Sequence, residues 1–419
     1  MTNFQLAEMF CGPGGIAAGA RYATRDYRGG SRIEHAWAVD YHPDTTRTYA
    51  QNITAGDMST VHTADVREFD VRRPGYFNAF AFGFPCNDFS LVGEQRGLEG
   101  EFGPLYSYGV HAIALNAPDW FVAENVSGIR GANGGLAFGK ILSALKNPVA
   151  AVADDPAFLE RYGAQLPTLD ADLEYDLVAH LYRFEEYGVP QRRHRVLLVG
   201  IRRDIAEVLP RPFSVPEPTS RPKAKQMTAR DAIEFDPIPK WATNNDKIRH
   251  PQRVQDRINQ IAPGRNAFNT EFDEKSGLRL NVKGATLSNI YRRLHPDEPA
   301  YTVTGSGGGG THMYHWDEPR ALTNRERARL QTFPDDFIFV GGRQSVRRQI
   351  GMAVPPQGAA MLFKALLSTL DGIEYPTDPT GPNIDANALI TAYRNGSSST
   401  STLRAIPQPD PQASIPGID

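Results

Sequence analysis

Cysteine is scarce in this chain of 419 residues: only Cys11 and Cys86 occur. Two cysteines give neither a disulfide framework nor the paired spacing of a zinc site, and the usage suits a reduced, cytoplasmic protein. Long apolar runs are missing as well. None approaches the ~18 residues that a membrane-spanning helix needs. Residues 1–6 carry no basic region followed by an apolar core, so no signal peptide is expected. Internal repeats are absent. There is no excess of positive charge either: 45 Lys and Arg stand against 48 Asp and Glu, a formal net charge of −3. That balance argues against a small basic nucleic-acid-binding module, but not against a larger enzyme with a local basic face. Between Arg221 and Arg265, ten Lys and Arg oppose five acids, and such a face would suit phosphates.

What is present is alternation. Short apolar runs at 4–9, 33–39, 61–64, 77–82, 119–123, 174–184 and 195–201 read as strands. Helical stretches follow at 44–52 and 105–116, and another opens after Gly15. The pattern predicts an α/β protein with a doubly wound sheet over residues 1–205. Near 205 prolines thicken, and 206–346 is expected to form a second, smaller domain with its hinge. Residues 347–376 are expected to supply a C-terminal helix that returns to the first domain. The stretch 377–419, rich in Pro, Gly, Ser and Thr, reads as a disordered tail, and 147–172 as an insertion.

Chemistry-bearing residues fall at the strand ends. Gly12-Pro13-Gly14-Gly15 lets backbone approach a ligand at a helix N-terminus. Asp40 closes the second strand, where an acid suits ribose hydroxyls, and Asp65 after the third suits an adenine amino group. This set fits any adenosine-bearing cofactor, NAD as well as S-adenosylmethionine. Cys86 stands just past the fourth strand, in Gly83-Phe84-Pro85-Cys86, and Glu124-Asn125-Val126 ends the fifth. Gln191-Arg192-Arg193-His194-Arg195 leads into the last. Singly, a cysteine reads as core packing and strand arginines as surface ion pairs. Converging on one sheet edge beside an adenosine site, they form a chemical constellation.

In this order the segments resemble the DNA (cytosine-5)-methyltransferase family, of the bacterial and archaeal restriction-modification type. Arg320 to Glu326, Leu330 to Pro334 and Gln349 to Pro355 complete the series, which spans about residue 4 to 373. The resemblance implies a Rossmann-like S-adenosyl-L-methionine-dependent methyltransferase domain with a smaller target-recognition domain. It implies methyl transfer to C5 of a cytosine flipped out of double-stranded DNA at a short specific sequence, with S-adenosyl-L-homocysteine as product and no metal. Cys86 matches the nucleophile that adds to C6. Glu124 matches the carboxyl group on N3 and the exocyclic amine. Arg195 matches the arginine on O2, and Arg193 a neighbour that steadies the loop or a phosphate.

By the same resemblance Phe10 stacks on adenine, while Gly12, Gly14, Gly15, Asp40, Tyr41, Asp65, Val66, Pro85, Leu105 and Ala353 complete the cofactor site. Residues 87–103 would be a loop closing on DNA. Ser90, Arg279, Lys283, Asn289, Arg292, Thr302, Gly307, Gly308 and Gly309 are the expected DNA contacts, with Arg293 a further candidate reader. Double-stranded DNA is the implied partner of a monomeric, cytoplasmic, DNA-associated enzyme with no membrane contact. It would act alone, or beside a cognate restriction endonuclease that works separately. Two departures stand out: Asn87-Asp88 puts an acid beside the nucleophile, and Met352 replaces the asparagine usual in its motif. An NAD-linked oxidoreductase would leave Cys86, Glu124 and Arg195 without a purpose. A tRNA cytosine-5 methyltransferase would not call for the separate basic domain, and a catalytically dead relative would not call for Cys86 and Glu124.

Overall fold

The computed structural model describes residues 2–85, 105–280, 290–305 and 309–396. Its strands are β1 (Asn3–Met9), β2 (Arg32–Asp40), β3 (Val61–Thr63), β4 (Ala79–Phe82), β5 (Trp120–Val126), β6 (Tyr175–Arg183), β7 (Gln191–Arg192), β8 (His194–Arg202) and β9 (Ala300–Tyr301). Seven of them form one sheet in the order β3-β2-β1-β4-β5-β8-β6. β1 to β5 run parallel, and β8 runs against both of its neighbours. The central strands are apolar on both faces, as β4 shows with all four residues buried, because helices cover the sheet on either side. β7 and β9 pair in parallel outside this sheet.

The helices are α1 (Gly15–Asp26), α2 (Pro43–Ile53), α3 (Tyr106–Asn116), α4 (Leu136–Lys146), α5 (Pro148–Val152), α6 (Pro156–Tyr162), α7 (Arg203–Ala206), α8 (Ala229–Ile233), α9 (Gln252–Gln260), α10 (Asn324–Leu330), α11 (Arg343–Met352), α12 (Pro356–Leu370) and α13 (Ala386–Arg394). One face of the sheet packs through Phe80, Phe82 and Phe121 onto α3, α4 and α6. The other packs through Leu6, Ala79 and Val122 onto α1 and α12. Gly19 makes the second contact possible: a Cβ there would collide with the Pro356 carbonyl and Ala359 of α12. A third cluster, around Leu294, Val303, Leu330 and Phe333, holds the later part of the chain and reaches Ala18 of α1.

The strands and helices named from the alternation are found to within two or three residues, while α4 and the short β7 are not among them. The segment read as an insertion and the start of the one read as disordered are both helical. The stretch 147–172 contains α5 and α6, and Asp155 docks it. One carboxylate oxygen of Asp155 accepts from Ala157 N and Phe158 N to cap α6, while the other meets the buried His111 of α3 at 3.0 Å. The expected disordered tail does not hold for 377–396. α13 lies there, capped by Asp385 and with Leu389 and Ile390 buried against α4. Residues 397–419 are outside the described set.

Candidate active site

Pairing of β5 with β8 builds the chemical edge. Their antiparallel register sets Glu124 opposite Leu197 and Val126 opposite Arg195. The two side chains meet there: Arg195 Nε lies 2.9 Å from Glu124 Oε1, and both are mostly buried, 15% and 12% exposed. Limited solvent access strengthens such a pair and fixes its orientation. On its other side the carboxylate lies against Gly83, where a Cβ would come 3.1 Å from Glu124 Oε2. Gly83 thus opens the turn toward Cys86 and leaves room for the acid. Asn125, one residue on, donates from Nδ2 to the Phe84 carbonyl at 3.1 Å and so fastens that turn to β5. Nothing in sequence reading gave Asn125 a role, although it stands inside the Glu-Asn-Val motif. Cys86 itself, Ser90 and the 87–103 loop lie outside the described residues.

Arg193 behaves differently from Arg195. Only 1% exposed, it donates from Nη1 to the Val303 carbonyl at 3.1 Å. A side chain so placed steadies the chain around β9 and does not present a surface for a phosphate. Beside it, Gln191 is wholly buried. Its Oε1 accepts from Val303 N, and its Nε2 donates to Leu330 O and Gln331 Oε1.

A small pocket lies between the glycine loop and α11, lined by Gly12, Pro13, Asp40, Tyr41, His42 and Met352 among others. Three expected cofactor residues therefore converge. Gly12 and Gly14 take φ of +55° and +96°, and Phe10 takes +54°, a strained value for a side chain. A Cβ on Gly12 would meet nothing within 4 Å, so the loop faces open space. Asp40 organises it, accepting from Gly12 N at 3.1 Å and His42 N at 3.0 Å. Burial pushes the Asp40 carboxyl up, against the lowering effect of those two donors. Gly15 is pressed against the Val354 backbone, with the buried Ala353 beside it.

Asp65 is not free for adenine in this structure. Arg67 holds both its oxygens, at 2.7 to 3.1 Å, and keeps the carboxyl below its usual range. Val66 and Leu105 are buried in the core, and Pro85 is half-buried. Met352 is 62% exposed on the pocket wall, so the departure at this position changes the lining and leaves the core intact.

The DNA-facing expectations divide. Thr302 turns inward and donates to the Arg192 carbonyl at 2.6 Å. Arg293 is buried and donates to the carbonyls of Ile258, Ile261, His315 and Trp316; it is a structural strut, not a reader. Arg292 lies over the Tyr301 ring at 4.8 Å, Arg279 is exposed, and Gly309 starts a short 3-10 turn. Lys283, Asn289, Gly307 and Gly308 are outside the described residues. Several cations of the 221–265 run are spent internally. Arg221 pairs with Asp378, Arg230 with Asp297, and Arg257 donates to the Leu278 carbonyl.

Comparison with known proteins gives the family. The family described as C-5 cytosine-specific DNA methylase matches residues 4–148 and 166–368. The break between them falls in the inserted segment. Type II methyltransferase M.BbvI of Brevibacillus brevis is 50% identical over 90% of this chain and 94% of its own length. M.NgoFVII of Neisseria gonorrhoeae is 36% identical over 87% and 86%. In fold, the crystal structure of a protein encoded within an Escherichia coli prophage aligns at a TM-score of 0.60 and 21% identity, covering 88% of this chain and 100% of that one. With its glutamate–arginine pair at a sheet edge and its glycine-loop pocket, the chain belongs to the C-5 cytosine-specific DNA methylase family and is a DNA cytosine-5-methyltransferase.

Proposed function

We propose that the protein transfers a methyl group from S-adenosylmethionine to C5 of a cytosine flipped out of double-stranded DNA, through a transient bond between Cys86 and C6. The observation that carries this reading is the Glu124–Arg195 pair at 2.9 Å, set against Gly83 at the start of the Cys86 turn. Cytosine C5 is a poor nucleophile. A thiolate added at C6 pushes electron density toward C5, and the ring must then carry charge at N3 and O2. Glu124 can hold N3 and the exocyclic amine as a proton is shared there, while Arg195 offers donors to O2. Their mutual pairing orients both before substrate arrives. An ordinary thiol near pKa ~8.5 is only slightly ionised at neutral pH, so Cys86 needs surroundings that favour its thiolate. Loss of the C5 proton then expels the sulfur and restores the ring.

The residues present fit the methyl donor. The open space over Gly12, the pocket between Asp40, Tyr41 and Met352, and the adjoining strained Phe10 suit an adenosine group. When bound, S-adenosylmethionine supplies an electrophilic methyl group on a sulfonium. Gly12, Gly14 and Gly15 would bring backbone close to it, Asp40 would hold ribose hydroxyls, and Tyr41 and Phe10 would flank the base. Residues 206–346 would recognise the target, in a protein acting on DNA in the cytoplasm as a monomer.

Two measurements test the reading. Bisulfite sequencing of DNA from cells expressing the protein should reveal methylcytosine at one short sequence, and a duplex containing it should accept tritiated methyl groups. Cys86→Ala should abolish transfer while DNA binding persists, and duplex with 5-fluorocytosine at the target should become covalently attached to the wild type. Turnover by the Cys86→Ala protein would falsify the covalent route.

A further inference from the structure

Residues 149–165 fall between the two stretches that the family matches, so they stand outside its common frame. They are nonetheless built into the molecule. The helix α6 lies there and carries two buried rings, Phe158 and Tyr162. On one side α6 is rooted in α3. Its cap, Asp155, meets His111 at 3.0 Å, and the His111 ring lies 5.2 Å from that of Phe158 and 6.4 Å from that of Tyr162. α3 itself starts directly after Leu105, one of the residues expected at the cofactor.

On its other side α6 grips a turn. Arg161 donates from Nη1 to the Phe69 carbonyl at 3.0 Å and from Nη2 to the Arg67 carbonyl, so one planar guanidinium spans two peptide groups. The Tyr162 hydroxyl accepts from Val71 N at 3.4 Å. The Arg72 guanidinium lies 5.0 Å over the Tyr162 ring and donates to Gln165 Oε1 at 3.0 Å. The turn is also held from within, where Glu68 N and Phe69 N donate to the Asp65 carbonyl at 2.9 and 3.0 Å.

This turn continues directly from β3. Thr63 stands opposite Asp40 in the sheet, and Ala64 N donates to the Asp40 carbonyl at 3.1 Å. Asp65 and Val66 therefore emerge beside the acid that organises the glycine loop. Asp65 is held by Arg67 yet keeps 36% of its side chain exposed, and Val66 is buried in the core that it shares with Leu105. A surface turn ordinarily samples several conformations. An arginine on two of its carbonyls removes that freedom before a ligand arrives, and a ligand then loses less affinity to ordering the turn.

We infer that Arg161 and Tyr162 of the inserted α6 are positioning residues for the methyl donor: they hold the 65–71 turn as the wall on which its adenine rests, given the S-adenosylmethionine site proposed above. Neither residue touches a reacting atom. They act on donor affinity, from the anchor that α3 provides, and the DNA side of the molecule takes no part.

Amide hydrogen exchange of the wild type, with and without S-adenosyl-L-homocysteine, tests this without any variant. The product should slow exchange in 12–15 and in 64–71 together. Slowing in 12–15 alone overturns the inference and leaves the donor site standing. Arg161→Met keeps an aliphatic stem and removes both carbonyl bonds. Its 64–71 amides should exchange faster than those of the wild type. KM for S-adenosylmethionine should rise about five- to tenfold, while kcat at saturating donor and KM for DNA stay within about twofold. A donor KM like that of the wild type, or an equal loss in kcat and in both KM values, overturns the inference and makes Arg161 a structural contact. If the wild type binds no S-adenosyl-L-homocysteine, the proposed function falls and the positioning role with it; normal product binding with an unchanged donor KM in Arg161→Met sinks the positioning role alone.

Discussion

At the scale of single residues, this enzyme places charges where the fold can orient them. Arg195→Ala removes the donor proposed for the base and leaves Glu124 mostly buried without its partner, so kcat/KM should fall by about 10²- to 10³-fold, in line with the loss of one oriented donor. Steady-state methylation kinetics would check this, and Arg195→Lys should recover little, because an ammonium cannot reproduce the guanidinium fork. A second carboxylate, Glu8 on β1, lies 1% exposed below the glycine loop and accepts from Tyr49, whose ring packs against Gly14. Burial raises Glu8 from an ordinary 4.5 to about 8, although the Tyr49 bond lowers it. Below 4.5 the folded and unfolded chains are both protonated and the folded state keeps its full advantage. Between 4.5 and about 8 the unfolded chain releases a proton that the folded chain retains, so stability declines as pH rises, by on the order of a few kcal/mol in all. Glu8→Gln keeps an acceptor for Tyr49 and does not titrate. Its unfolding temperature should gain on the wild type between about pH 5 and pH 8, and parallel curves would show that Glu8 does not titrate in that window.

At the scale of elements, α13 is the clearest surprise and the easiest to test. Leu389 is 2% exposed against the core shared with α4, and Gly139 of α4 is pressed on the Leu389 carbonyl and Tyr393. Leu389→Ala should cost about 2–5 kcal/mol, read from urea unfolding, whereas a disordered tail would make the change silent. The helix was legible in principle. Asp385 is an N-cap residue, followed by Ala-Asn-Ala-Leu-Ile-Thr-Ala-Tyr-Arg, but Pro, Gly and Ser on both sides set the composition of the window and hid a nine-residue helix with a narrow apolar face. The central strands were legible for the opposite reason: both faces of β4 are buried, so their apolar runs are unbroken. Glu124 and Arg195 could be named from the motifs, yet their contact could not, because it depends on β8 running antiparallel beside β5, a register set by tertiary pairing. The inward turns of Arg193, Thr302 and Arg293 were hidden for the same reason, since a polar residue in a motif carries no sign of the carbonyl it will meet.

At the scale of the whole molecule, two buried glutamines join the parts. Gln191 binds Val303 N, Leu330 O and Gln331, and Gln331 donates onward to the carbonyls of Ile350 and Ala353. One network thus fastens the arginine strand, the approach to the glycine run, α10 and the segment behind Gly15 of the cofactor loop. All its members are buried, so no water can replace a lost partner cheaply, and each unsatisfied group costs about 1–3 kcal/mol. Gln331→Leu keeps most of the volume, leaves the Ile350 carbonyl bare and deprives Gln191 of an acceptor. The variant should lose about 2–4 kcal/mol, and amide hydrogen exchange should quicken in 300–303 and 350–353 together, because one side chain supports both. Methylation should then show a raised KM for DNA and for the methyl donor alike. Faster exchange confined to one of the two segments would show that they are held independently, and that the proposed cofactor side and the proposed DNA side are not joined through Gln331.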